Sequence, residues 1–109
     1  MQETAAAARA FRALADPTRR TILRELRSGP LTSGEIASRF DSSWPTISRH
    51  LAILRDAGLV GAHRHGQEIR YQLDTTVFQD LAQHLLDWTQ PGSGPSRRTK
   101  AGRTRPQEA

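Results

Sequence analysis

Residues 42–60 read SSWPTISRHLAILRDAGLV, and the fold turns on what this stretch is. On a helical wheel of about 100° per residue, Leu51, Leu54 and Gly58 fall within roughly 40° of Ile47 and make one apolar stripe. Pro45, Ser48, Arg49, Ala52 and Asp56 point away from it, and Thr46 lies at its flank. The outward residues of the first two turns are thus small, hydroxylated or cationic. A helix that only fills a core has no use for this set. A helix that enters a DNA major groove does: small side chains let its N-terminal end approach base edges, where hydroxyls and a guanidinium hydrogen-bond. Pro45 costs no hydrogen bond in a first turn. The expected DNA contacts are Ser43, Trp44, Pro45, Thr46, Ser48, Arg49 and His50. His50 sits at the edge of the stripe, either packed and hydrogen-bonded or on a phosphate. Trp44 has two readings, against a sugar or base edge or folded back near Phe40, and the second is the commoner arrangement for such an aromatic.

Upstream, Thr32-Ser-Gly-Glu35 has capping-box spacing and opens a short helix, residues 33–40, with Ile36, Ala37 and Phe40 inward. A turn at Asp41-Ser-Ser joins it to the first stretch as a helix-turn-helix. Downstream, LVGAHR and EIRYQL read as two strands around HGQ, with Ile69, Tyr71 and Leu73 alternating. This hairpin is a wing, with Arg64, His65 and Arg70 near its tip placed for phosphate or minor-groove contact. Asp16-Pro17 caps a further helix carrying Ile22, Leu23 and Leu26 and ending at Ser28-Gly29-Pro30. Residues 3–14 are an Ala-rich helix with Ala7, Phe11 and Leu14 at helical spacing. Asp74 or Thr75 caps a last helix over about 75–89. The expected order is α-α-α-α-β-β-α, mainly α with one small β-hairpin.

The last helix carries Val77, Leu81, Leu85 and Trp88 on one stripe and Phe78, Ala82, Leu85 and Leu86 on the next. One small domain covers one stripe, so a second implies a second copy. The expected dimer contacts are Ala7, Phe11, Val77, Phe78, Leu81, Leu85 and Trp88.

The chain has 109 residues, a formal net charge of +5 and no Cys. Disulfides, thiolate metal sites and thiol redox sensing are excluded. Residues 1–90 hold 11 Arg against 10 Asp and Glu. Most of the excess sits in residues 91–109, where Arg97, Arg98, Lys100, Arg103 and Arg105 face only Glu108. Residues 1–90 are read as one DNA-binding and dimerisation domain. Residues 91–109 are read as a disordered basic tail, suited to a polyanion or simply solubilising. No run of about 18 apolar residues offers a membrane span, and the N-terminal residues lack a signal peptide's apolar region. The expectation is a soluble cytoplasmic protein.

DPTRRTILREL, LTSGEIASRF, SSWPTISRHLAILRDAGLV and GQEIRYQL together resemble the ArsR-type winged helix-turn-helix repressors, from about residue 9 to residue 88. LDTTVFQDL, after the wing, is similar to the autorepressor branch typified by SdpR. The resemblance implies a homodimeric repressor of a palindromic operator, paired through its first and last helices. Metal sensing in this family uses either a Cys-x-Cys near the third helix or an Asp-x-His with a distant His-x-x-Glu/His on the last. This chain has Thr32, Ser33 and Gly34 in the first place, and Asp74-x-Thr76 with His84-x-x-Asp87 at the wrong separation in the second. No metal or other cofactor is expected. Catalysis finds no support either: His63 and His65 lie on the hairpin with no nucleophile placed beside them, and no Gly-rich phosphate loop is present. The expected partners are an operator duplex, a second copy, and an unidentified inducer ligand or protein. Two other classes compete with the repressor: an architectural protein coating DNA through its tail, and a protein-interaction module that has lost DNA binding.

Overall fold

The computed structural model describes residues 4–91. The order is α1 (Ala5–Leu14), α2 (Pro17–Glu25), a 3-10 turn (Leu26–Ser28), β1 (Leu31–Thr32), α3 (Ser33–Ala37), α4 (Trp44–Asp56), β2 (Val60–His65), β3 (Glu68–Leu73) and α5 (Thr75–Thr89). The architecture is mainly α with a small antiparallel sheet, a winged helix-turn-helix. The sheet has three strands rather than the two expected, in the order β1-β3-β2. Leu31 and Thr32 pair with Tyr71 and Arg70, adding a two-residue strand to the wing's root.

Each helix begins where a short polar side chain can take an orphan N–H. Thr4 accepts from Ala7, Asp16 from Arg19, Ser43 from Thr46 and Asp74 from Thr76. Thr32 and Glu35 complete the capping box reciprocally, at 3.1 and 2.8 Å. Helix α3 ends at Ala37, earlier than residue 40, with Ser38 and Arg39 in a turn.

The core is built on Ile22, Ile36, Ile47, Leu51, Leu54 and Leu59. Helix α1 joins it through Ala7, Ala10 and Ala13, all buried. The Ala stripe brings the α1 backbone close to its neighbours, so the larger Phe11 and Leu14 lie half-buried at its flanks. The C-terminus of α4 is a Schellman motif. Leu59 N–H donates to Leu54 C=O and Gly58 N–H to Arg55 C=O, both at 3.0 Å. Gly58 has φ 79°, and a Cβ there would meet Val77 Cγ2 at 3.0 Å. The dihedral favours glycine and a Cβ would crowd Val77, and the motif turns the chain sharply from the helix into the wing.

Candidate nucleic-acid interface

Helix α4 presents its N-terminal half to solvent. Ile47, Leu51 and Leu54 anchor it at 0–2% exposure, while Ser43, Trp44, Pro45, Ser48 and Arg49 on the outer side are exposed. Thr46 is half-buried. Its hydroxyl lies 2.9 Å from the Ser43 hydroxyl, which also accepts the Thr46 N–H at 3.4 Å. Ser43 therefore caps the helix and orients Thr46 as well as facing outward. Among the described residues nothing pairs with the Arg49 guanidinium, so its donor fork is free for a base edge or phosphate. Trp44 is 51% exposed and is not among the side chains packed on the core. Phe40 is half-buried against the core, and about half of the Trp44 indole is open to solvent at the start of α4.

His50 takes the other path. Its side chain is only 16% exposed, with Nδ1 3.3 Å from Arg19 Nη1 and 4.0 Å from Asp16 Oδ2. A guanidinium only donates, so a hydrogen bond from Arg19 needs Nδ1 as its acceptor. Arg19 also donates to the Ala13 carbonyl at 2.7 Å and the Arg12 carbonyl at 3.2 Å, filling the end of α1. One arginine thus ties the end of α1, the start of α2 and the middle of α4 together. Sequence reading missed Arg19, because its partners lie up to 31 positions away. A second tie, Arg39 to Glu25 at 2.6 Å, fixes the turn after α3 to α2.

The wing closes on Gly66-Gln67, with Gly66 at φ 62° as a primed two-residue turn requires. Its cations do not form one patch. Strand alternation puts His65 and Arg70 on the face shared with Glu68, while Arg64, opposite Ile69, lies on the other. Arg70 Nη2 is 3.8 Å from Glu68 Oε1 and lines a depression with Glu35 as well, so its charge is partly offset within the chain. Among the described residues Arg64 donates only to the Gly66 carbonyl, at 3.3 Å. The wing offers Arg64 and His65 more openly than Arg70.

Among the described residues no three His, Asp or Glu side chains come together as a metal ion needs. His84 instead meets the Phe11 ring edge-on, centroids 6.3 Å apart, joining α5 to α1.

Residues 16–61, from the α2 cap into the wing, match the model of the bacterial regulatory protein, arsR family. The transcriptional repressor SdpR of Bacillus subtilis is 48% identical over 82 residues, 75% of this chain and 91% of SdpR. The chain belongs to the ArsR family. The HTH-type transcriptional regulator Rv2034 of Mycobacterium tuberculosis is 42% identical over 87 residues, 79% of this chain and 81% of that protein. A crystal structure of an ArsR family transcriptional regulator superposes with a TM-score of 0.75 at 32% identity, covering 81% of this chain and 91% of that one. ArsR proteins are DNA-binding transcriptional regulators and not enzymes, and the resemblance drawn from the sequence holds along the same elements. No described helix is long and apolar enough to cross a membrane.

Proposed function

We propose that this ArsR-family regulator is an intracellular homodimeric repressor that reads a palindromic operator with the N-terminal half of α4. Its activity does not depend on a bound metal. The observation that carries the reading is the outer face of α4: Arg49, unpaired among the described residues, beside exposed Ser43, Trp44, Pro45 and Ser48, on a helix anchored by a buried stripe. Arg49 discriminates bases, and Arg64 and His65 hold phosphate. His50, through Arg19 and Asp16, sets the angle at which α4 is presented. A two-fold dimer presents two such helices and calls for a two-fold operator.

The dimer rests on α5. Leu81 is 3% exposed, yet Leu85 and Trp88 on the same stripe are 57% and 88% exposed. The stripe runs off the protomer's core and leaves a large apolar surface for a second copy.

DNA enriched by the protein from its genome supplies the operator, and the test compares it with a random duplex. Arg49→Ala is expected to weaken operator binding by roughly 1–3 kcal/mol and random binding much less. Equal losses on both duplexes would remove Arg49 from base recognition. An operator no better than random DNA in the wild type would favour an architectural protein, and no DNA binding at all an interaction module.

A further inference from the structure

On the side of α2 away from α4, a groove of about 340 Å³ runs between α2, the end of β3 and the start of α5. Its floor is apolar, formed by Leu14, Leu23, Leu73 and Phe78. Its rim carries Arg20, Arg24 and Arg27, and among the described residues no carboxylate lines it. The spacing of four and three residues places the three guanidiniums on one side of α2 and its 3-10 extension. Arg20 is fixed, donating to the Leu14 carbonyl at 2.7 Å. Arg24 and Arg27 are exposed and have no hydrogen-bond or ion-pair partner among the described residues.

We propose that this groove binds a small organic acid, with its apolar body on Leu14, Leu23, Leu73 and Phe78 and its carboxylate on Arg24 and Arg27. The volume lies at the lower end of the range for small-molecule sites, which pair an apolar lining with a few placed polar groups. Charge selects the occupant. Three cations over an apolar floor repel the basic residues 91–109 of the chain itself and favour an anion. DNA is a poor occupant, because Leu73 lies at the far end of β3 from the Gly66-Gln67 turn, roughly 17 Å away at about 3.4 Å per residue. The site is independent of the DNA-binding reading and is measured without DNA.

The test titrates the full chain with octanoate in a calorimeter, with 1-octanol as the uncharged probe. One octanoate per chain is expected. The double variant Arg24→Gln with Arg27→Gln, both exposed and so compatible with folding, is expected to bind octanoate roughly tenfold or more weakly. Octanol is expected to bind wild type and variant alike, and more weakly than octanoate binds wild type. Thr75→Trp, at the groove's exposed lip, is expected to block both probes. No saturable binding, many octanoates per chain, or equal affinity in the double variant would overturn the proposal. Binding seen only at dilutions where the protein is monomeric would overturn it too, since a second copy would then be the groove's occupant.

Discussion

The carboxylate of Asp16 accepts the Arg19 backbone N–H at 3.0 Å while its other contacts reach toward His50. That backbone bond is the chief reason its acidity is stronger than that of an ordinary Asp; partial burial opposes it, and the charges of His50 and Arg19 add to it. Because the folded value is depressed, the unfolded chain takes up the proton first as pH falls. The stability this supplies is fully present above the unfolded value of about 3.9 and is lost as pH drops through the folded value. Asn caps a helix as well as Asp does but does not titrate. Asp16→Asn is therefore expected to keep α2 capped and to flatten the loss of stability in urea as pH falls below about 4. Identical acid limbs for the two proteins would mean that the bond to Arg19 does not favour the charged form. Glu35, held low mainly by the Thr32 N–H, titrates in the same direction and remains in both proteins.

Helix α5 is the element whose two halves have different duties, and the boundary between them was not legible in the sequence. The stripe of Val77, Leu81, Leu85 and Trp88 reads as one surface on a helical wheel. Only the folded chain shows that the protomer's core ends at Leu81, so that Leu81 and its neighbour Ala7 are covered internally while Leu85 and Trp88 remain open. A charge at Leu81 would be buried in the protomer and unfold it. Charges at Leu85 and Trp88 would enter water in a monomer and be buried only in a dimer. Leu85→Asp with Trp88→Asp is thus expected to yield a folded monomer, with unchanged helical circular dichroism but half the mass by sedimentation. Wild type is expected to sediment as a dimer at about 10 µM and to lose apparent stability on dilution. A wild-type monomer at that concentration would leave the apolar end of α5 without the partner assigned to it.

Across the whole molecule, the patterns repeated over a turn or a strand were legible, and the pairings across long sequence distance were not. The α4 stripe, the capping box at Thr32 and Glu35, and the alternation of Ile69, Tyr71 and Leu73 all have local causes and stand where the sequence puts them. Strand β1 escaped notice because two residues carry no periodicity, and the bond between Arg19 and His50 because nothing local links them. Of the basic tail, residues 92–109 lie outside the described residues, and its charge is read from sequence alone. Residues 1–90 carry nearly balanced charge, so the tail supplies most of the chain's net +5. If it touches DNA, it does so through phosphates, and each such contact adds about 0.9 to the slope of log K against log salt. Deleting residues 91–109 is expected to flatten that slope and to weaken operator and random duplexes alike. The ratio between the two is expected to stay nearly intact, because α4 remains in place. A salt titration of wild type and truncated protein on both duplexes reads slope and ratio together. An unchanged slope would make the tail a solubilising extension. A collapsed ratio would mean that base recognition depends on the tail, and α4 would lose its place as the reader.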